Sequence, residues 1–234
     1  YLTFGLALAF ITIAIPVEFN GSWLALFWLA ESAVLFWIGR TQKVRFYEIF
    51  SYPLLGFAIL SLISGWGEHY GSLHECKLLL NVDFLISALF ILILGGMLII
   101  AKKTKENAFN DYSGVLTGAL FTILYFACFL EINSYWIAQL GISNEIPKWM
   151  WINSNAPALA TFRLIWLTNY TLLYLIAISW VNIKLYKNKT FAGVNLIINA
   201  CAIFLFLTFG LYNLSLSKEF GDFGTQYLLR YSSI

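Results

Sequence analysis

Charged side chains are scarce in this sequence, because Asp, Glu, Lys and Arg together make up only 11% of its 234 residues. Soluble globular domains carry about 25% charged residues. The formal net charge is only +2, and the basic residues form no patch with interleaved aromatic side chains. The composition therefore predicts no nucleic-acid partner. A chain with so few charges is expected to lie mostly in an apolar environment.

Cysteine is also rare, and Cys76, Cys128 and Cys201 are far apart in the sequence. Their spacing predicts neither a disulfide framework nor a Cys-x-x-Cys metal site. The sequence has no Walker loop, no G-x-G-x-x-G and no G-x-S-x-G motif, so nucleotide chemistry and a nucleophile elbow are not indicated. No cofactor is predicted, and whether the protein is an enzyme stays open.

Histidine occurs only twice, as His69 and His74, and each histidine stands beside a glutamate, Glu68 or Glu75. Their five-residue gap differs from the i, i+4 spacing of the HExxH zinc helix, and no further histidine could complete a site. We interpret both histidines as polar loop residues, with a metal site as the alternative.

What the sequence does contain is long apolar runs, and hydrophobic residues make up 60% of it. A helix needs about 20 such residues to cross the hydrocarbon core of a bilayer. The fold class predicted is therefore all-α, a polytopic integral membrane protein forming a single bundle of about seven transmembrane helices. The predicted spans are about 2–17, 23–39, 46–66, 84–101, 112–132, 158–183 and 191–214.

Glycine gives two further expectations about these spans. Gly39 closes the second run and is expected to end its helix. Small residues let helices approach closely in membranes, and four glycines in the fourth and fifth spans are expected to serve that purpose: Gly95, Gly96, Gly114 and Gly118. The last two could also form an oligomer contact.

Basic residues alternate between the loops and predict an orientation. Nine Lys or Arg residues follow the second, fourth and sixth runs, namely Arg40, Lys43, Arg45, Lys102, Lys103, Lys105, Lys184, Lys187 and Lys189. The loops after the first, third and fifth runs contain only Lys77 and Lys148. By the positive-inside rule the N-terminus is predicted to be cytoplasmic and the C-terminus extracytoplasmic.

Residues 15–40 read IPVEFNGSWLALFWLAESAVLFWIGR. The Ile15-Pro16 pair, the turn with Gly21 and the run from Trp28 to Gly39 resemble the family catalogued as domain of unknown function 2339, which comprises large bacterial polytopic membrane proteins. Further similar segments follow in the same order: Leu80-Asn81, Leu130-Glu131, Gly210-Leu-Tyr-Asn-Leu and Arg230-Tyr231.

The resemblance implies a multi-pass protein of the bacterial inner membrane, and it implies no activity. Members of that family have many more spans than seven, and this chain opens at Tyr1 inside an apolar run. We therefore expect a fragment of a longer member. Its expected partners are the lipid bilayer and either the remaining transmembrane segments or other membrane subunits.

Glu31 is the most notable single candidate, because it lies about eight residues, or ~12 Å, inside the second span. A carboxylate at that depth is costly unless it is protonated, hydrogen-bonded or paired. It is either a proton- or cation-handling group on a transport path or a polar anchor between helices.

Arg163 lies about five residues into the sixth span, and Glu131 closes the fifth span at the same depth. The two could form an ion pair, or Arg163 could extend to the headgroups; Glu31 is another candidate partner. Replacing Arg163 by alanine is expected to lower stability more than replacing it by lysine.

Four asparagines, Asn169, Asn182, Asn195 and Asn199, fall in or near the last two spans. Asn195 and Asn199 share a helix face because they are four residues apart. They either form hydrogen bonds between helices or line a polar path.

Three functions stay open from the sequence. The first is a transporter or channel-like protein for a small solute or envelope precursor, with Glu31, Arg163 and the asparagines along the path. The second is a structural or assembly scaffold of the cell envelope. The third is an intramembrane enzyme that acts on a lipid-linked substrate through Glu131, His69 or His74.

Overall fold

The computed structural model describes residue 14 and residues 22–71, 81–104, 113–140, 156–186 and 189–210. The regular structure in this part is helical. The helices are α1 (Ser22–Thr41), α2 (Arg45–Gly71), α3 (Val82–Lys103), α4 (Ser113–Leu140), α5 (Ala156–Val181) and α6 (Lys189–Leu205). A π-helical turn extends α5 over Asn182–Tyr186, and another extends α6 over Phe206–Gly210.

Six helices in the described part are long and apolar enough to cross a bilayer, which fits a multi-pass membrane protein. The predicted span 2–17 lies outside the described residues except for Ala14. The count of seven spans and their orientation therefore stay predictions. All-helical structure is confirmed for the part of the chain that the structure describes.

Two helices end later than the apolar runs predict. The fifth run ends at residue 132, but α4 continues to Leu140. Polar residues after Ile132 end the apolar run in the sequence. The helix continues because Trp136 in the same stretch is buried and anchors it. Similarly, α2 continues past Trp66 to Gly71 and passes Pro53 without a break.

The chain divides into two compact units, residues 1–128 and 129–234, with the boundary inside α4. The first unit packs α1 and α2 as an antiparallel hairpin. Ser32 Oγ in α1 donates to the carbonyl of Ser51 in α2 at 2.7 Å, and the rings of Trp28 and Phe57 lie 5.5 Å apart. The fully buried apolar side chains of this unit include Ala25, Leu29, Leu35, Phe36, Ala58, Leu62, Phe90 and Leu94.

Helices of the first unit approach each other closely at Gly39 and Gly65. A Cβ atom at Gly39 would lie 2.6 Å from the Glu48 nitrogen, and one at Gly65 would lie 2.5 Å from Ser22 Oγ. Gly39 therefore does not end its helix as predicted, because α1 continues to Thr41 and Gly39 serves the packing against α2.

The glycines chosen from the sequence for close packing do not have that role in the described structure. A Cβ atom at Gly96, Gly114 or Gly118 would meet no described atom within 4 Å, and one at Gly95 would make only an ordinary contact with Leu120. The expectation is not met within the described residues, because spacing within one helix does not reveal where another helix approaches.

The second unit has a small core formed by Trp136, Phe162 and Ile165, with Ile132 and Phe206 packed against it. Its helix α6 is barely covered by protein: only 6% of the apolar segment Phe191–Thr208 is buried, against 39% in the corresponding segments of α1, α2 and α3.

Candidate functional site

The most deeply buried charges of the described structure form an ion pair where α1 ends and α2 begins. Arg40 Nε lies 2.9 Å from Glu48 Oε1, and the two side chains are only 1% and 2% exposed. Each charge also suits its helix terminus, since a cation is favourable in the last turn and an anion in the first. A single unpaired charge buried this deeply would strongly destabilise the fold, so Arg40 and Glu48 are expected to stay paired.

Neighbouring side chains enclose the pair. The Tyr52 hydroxyl donates to Glu48 Oε1 at 3.1 Å, and the Arg40 guanidinium lies 5.1 Å from the centroid of the Phe36 ring. Arg40 Nη1 also lies 3.4 Å from the Thr104 carbonyl, just after α3. The cluster thereby joins the adjacent ends of three helices.

A short turn brings Arg40 and Glu48 together. The Val44 nitrogen donates to the Gly39 carbonyl at 3.0 Å, the long bond of a Schellman-type helix end, and Lys43 has a left-handed backbone with φ 57°. Because Gly39 has no side chain, the start of α2 can lie directly against the end of α1.

Sequence reasoning missed this cluster. It counted Arg40 among the loop cations that signal topology and gave Glu48 no role. A usable signal was present: an arginine in the last turn of one span and a glutamate in the first turn of the next are separated by only seven residues. A glycine beside that arginine also favours a close approach.

A second polar cluster joins the start of α1, the end of α2 and the start of α3. His69 Nδ1 lies 2.9 Å from Asp83 Oδ2, and the Ser22 hydroxyl donates to Asp83 Oδ1. The serine bonds to the carboxylate rather than to the imidazole, so this is not the order of a catalytic triad. Its direct effect is to hold three helix ends together.

His69 was predicted to be a solvated loop residue, and that prediction was wrong, because α2 extends far enough to include it. His74 lies outside the described residues. Within the described residues, no group of three or more His, Cys, Asp or Glu side chains could hold a metal ion.

The helix ends near this cluster are tied by further hydrogen bonds. Asn81 caps α3, because its side chain accepts from the Phe84 nitrogen at 2.6 Å. Trp66 Nε1 donates to Ser87 Oγ at 2.9 Å, and the Ser87 hydroxyl donates to the Asp83 carbonyl.

Glu31 lies near the middle of α1, as predicted, and it is half-buried. The residue beside it, Ser32, is fully buried and makes the bond to α2 described above. Position and partial burial agree with both interpretations of Glu31, a carboxylate on a path and a polar anchor.

Arg163 donates through Nε to Asn133 Oδ1 at 2.8 Å. This amide takes the place of the Glu131 carboxylate that the sequence suggested as a partner. Glu131 is buried at 4% exposure and lies nine residues before the end of α4, so it does not close the span as expected.

The asparagines of the last two helices contact a serine. Asn195 Nδ2 donates to Ser179 Oγ at 2.7 Å, and Asn199 Nδ2 lies 3.3 Å from the same oxygen. Asn199 also donates to the Asn195 carbonyl at 2.7 Å. The shared helix face is confirmed, and it forms hydrogen bonds between α5 and α6. Asn182 is buried in the π-helical turn, and Asn169 is half-buried.

Comparison of the chain with protein-family models, curated proteins and solved structures found no match.

Proposed function

We propose that the protein is a structural or assembly component of a membrane, in which polar contacts fix the helices and α6 is available to further transmembrane helices. The observation that carries this proposal is the Arg40–Glu48 pair. Two opposite charges that are at most 2% exposed present no net charge to a passing solute. They hold the ends of neighbouring helices instead.

The other polar side chains of the spans support the same function. The Ser32 hydroxyl and the Trp66 indole each bond to a neighbouring helix of the first unit. In the second unit, Arg163 and Asn195 do the same. Polar groups used in this way hold transmembrane helices together in a medium that offers no water.

The uncovered surface of α6 supports the assembly part of the proposal. Its exposed apolar side chains are Val194, Leu196, Ile197, Ile198, Ile203, Phe204, Leu205 and Leu207. Lipid can cover such a helix, and so can helices of a longer chain or of other membrane subunits. We propose the helices as partners, beside the lipid bilayer.

Transport of a small solute is a second candidate, favoured by the half-buried carboxylate of Glu31 in the middle of a span. Ionisable side chains are rare inside transmembrane segments, and those that occur often line the pathway of an ion or a solute.

Cysteine accessibility distinguishes the two functions. In a chain whose Cys76, Cys128 and Cys201 are replaced by serine, a cysteine introduced for Glu31 should react with no membrane-impermeant thiol reagent from either side. A cysteine at the exposed Thr41 is the positive control. Rapid reaction at position 31 would indicate water in the span and would favour transport over the scaffold.

The assembly surface needs a separate measurement. A photo-crosslinking amino acid at Ile197, which is 65% exposed, should give an adduct of one defined protein mass in native membranes. The fully buried Leu29 is the matched control. Adducts with lipid alone would contradict the docking of helices on α6.

We also propose a bacterial inner membrane, on the strength of the resemblance described above, with the lysine-rich helix ends in the cytoplasm. Cysteines introduced beside Lys103 and Lys184 should then be protected from impermeant reagents added from the periplasm. Labelling of either one from that side would contradict the orientation.

A further inference from the structure

Exposed tryptophans stand near the two ends of α1. Trp23 is 51% exposed, Trp37 is 53% exposed, and the two are fourteen positions apart. Fourteen residues make almost four whole turns, so both side chains lie on one face, ~21 Å apart along the helix axis at ~1.5 Å per residue. Both side chains lean toward the start of the helix, so the spacing of the rings stays close to that of the backbone positions.

Helix α5 repeats this arrangement in the second unit. Trp166 and Trp180 are again fourteen positions apart, and they are 39% and 61% exposed. Trp166 is the less exposed because it also packs against Trp136, with ring centroids 6.4 Å apart. We call Trp23 with Trp37, and Trp166 with Trp180, the two tryptophan pairs. The same spacing therefore occurs in both units of the chain.

The exposed surface between the members of each pair is apolar. In α1 the exposed side chains between the tryptophans are Phe27, Ala30 and Val34. In α5 they are Leu173, Ile176 and Ala177. Such a surface suits lipid acyl chains, which offer no hydrogen-bond partner.

Polar residues stand just outside each pair, within four positions of the nearest tryptophan. Ser22 and the exposed Thr41 flank the pair of α1, and Arg163 and the exposed Lys184 flank the pair of α5. An indole ring has an apolar body and one N–H donor, so it is favoured where apolar and polar surroundings meet. Each pair is therefore expected to mark the two boundaries between hydrocarbon and headgroups.

The spacing of the pairs is short for a bilayer. A typical hydrocarbon core is ~30 Å thick, and any tilt of a helix shortens the ~21 Å between the tryptophans when it is measured across the bilayer. The exposed large apolar side chains of α2 and α3 also cover a short distance. They run from Phe46 to Ile63 and from Val82 to Ile99, ~25 Å in each helix.

We propose that the tryptophan pairs fit the protein to a bilayer with a hydrocarbon core about 21 Å thick. The partner of the exposed faces of α1 and α5 is then lipid with short acyl chains. This inference goes beyond the proposed scaffold function and does not depend on it.

Competition between two lipids tests the proposal on the full chain. The protein is reconstituted in mixtures of dimyristoleoyl and dioleoyl phosphatidylcholine, one of them brominated, and quenching of the tryptophan fluorescence gives their relative binding constant. The shorter lipid should bind about threefold more strongly, because matching a short apolar span to a thicker bilayer costs free energy.

A pair of double variants separates the tryptophans from the rest of the exposed faces. W37L/W180L removes one member of each pair and should bring the relative binding constant to about one, because leucine lengthens the apolar surface. F27L/I176L is the matched control, since it also replaces one exposed side chain in each helix but keeps both pairs. All four side chains are exposed, so both variants should fold.

Depth measurements test the same proposal with every tryptophan in place. Ala30 lies midway between Trp23 and Trp37, with Phe27 and Val34 on either side of it. In a chain whose natural cysteines are replaced by serine, spin labels at positions 27, 30 and 34 report depth through collisions with oxygen and with a water-soluble nickel chelate. The label at position 30 should lie deepest.

Three results would overturn the proposal. The first is a natural protein that binds both lipids equally or prefers the longer one. The second is an equal loss of preference in F27L/I176L, which would assign it to the apolar surface as a whole. The third is a label at position 27 or 34 that lies deeper than the label at position 30, because the tryptophans of α1 would then not mark the two boundaries.

Discussion

The two units of the chain hold their polar side chains in different ways. In the first unit, Arg40 and Glu48 are at most 2% exposed and lie beside a glycine that permits a close helix approach. In the second unit, Arg163 is half-buried and bonded to one neutral amide, Asn133. Removing one partner should therefore destabilise the first arrangement more than the second.

The cores of the two units differ in the same direction. About two fifths of the apolar segment of each of α1, α2 and α3 is buried, against 22% for α5 and 6% for α6. Packing in membranes depends on close van der Waals contact and hydrogen bonds, because lipid supplies no hydrophobic drive between helices. The first unit is therefore expected to be stable by itself, and the second is expected to gain stability from helices that cover α6.

The largest expected effect comes from breaking the buried pair. Glu48→Ala should destabilise the first unit by about 3–5 kcal/mol, because Arg40 would remain buried without its carboxylate. Unfolding in a mixed detergent series measures this loss. The double variant Arg40→Met, Glu48→Leu is the control and should recover most of the stability, since neither charge is left. A Glu48→Ala protein as stable as the natural one would contradict a buried ion pair between Arg40 and Glu48.

The close approach beside the pair should give the next largest effect. Gly39→Ala places a methyl group 2.6 Å from the Glu48 nitrogen, and such overpacking costs about 1–3 kcal/mol. Gly96→Ala is the matched control, because its methyl group would meet no described atom within 4 Å. It should be neutral or stabilising by up to about 1 kcal/mol, since alanine favours the helix. Equal losses at both positions would place the helix contact elsewhere.

Much of the helical fold could be predicted from the sequence, because length and hydropathy determine which segments suit a bilayer. Helix ends such as Leu140 could not be predicted, because polar residues near the end of a span do not stop a helix. The sequence also does not show that Trp136 is buried. The pair of Arg40 and Glu48 was not predicted either, although an arginine and a glutamate at the adjacent ends of two consecutive spans were a usable signal. Counting charges along the sequence predicts that a cation at the end of a span lies in water. Arg40 is buried instead because α2 packs against α1 at Gly39.

The candidate residues inside the spans were not always given the correct partner. Asn195 and Asn199 share a face because helical periodicity requires it. Arg163 met Asn133 instead of Glu131 because the rotation of α4 about its axis decides which side chain faces α5. Sequence spacing does not give that rotation between helices.

The second unit should respond less strongly than the first to the loss of its half-buried arginine, Arg163. Arg163→Ala should cost about 1 kcal/mol, because one hydrogen bond to a half-buried guanidinium is lost. Arg163→Lys should cost less, since lysine can still donate to Asn133. The change in Tm in detergent compares the two. If Asn133→Ala is added to Arg163→Ala, no further loss of stability is expected. Equal, negligible losses in Arg163→Ala and Arg163→Lys would contradict a stabilising contact between Arg163 and Asn133.

The smallest effect is expected at Asn195, where a second donor is already in place. Asn199 Nδ2 lies 3.3 Å from the same Ser179 oxygen, so Asn195→Leu leaves Ser179 with a partner. Interhelical hydrogen bonds in membrane proteins contribute about 0.6 kcal/mol on average, and the single variant should cost no more than that in detergent unfolding. Replacing Asn199 as well should cost more than the sum of the single losses, because the substitute donor is then absent. If Asn195→Leu alone destabilised the protein as much as Glu48→Ala does, the amides of the second unit would be held as tightly as the charges of the first.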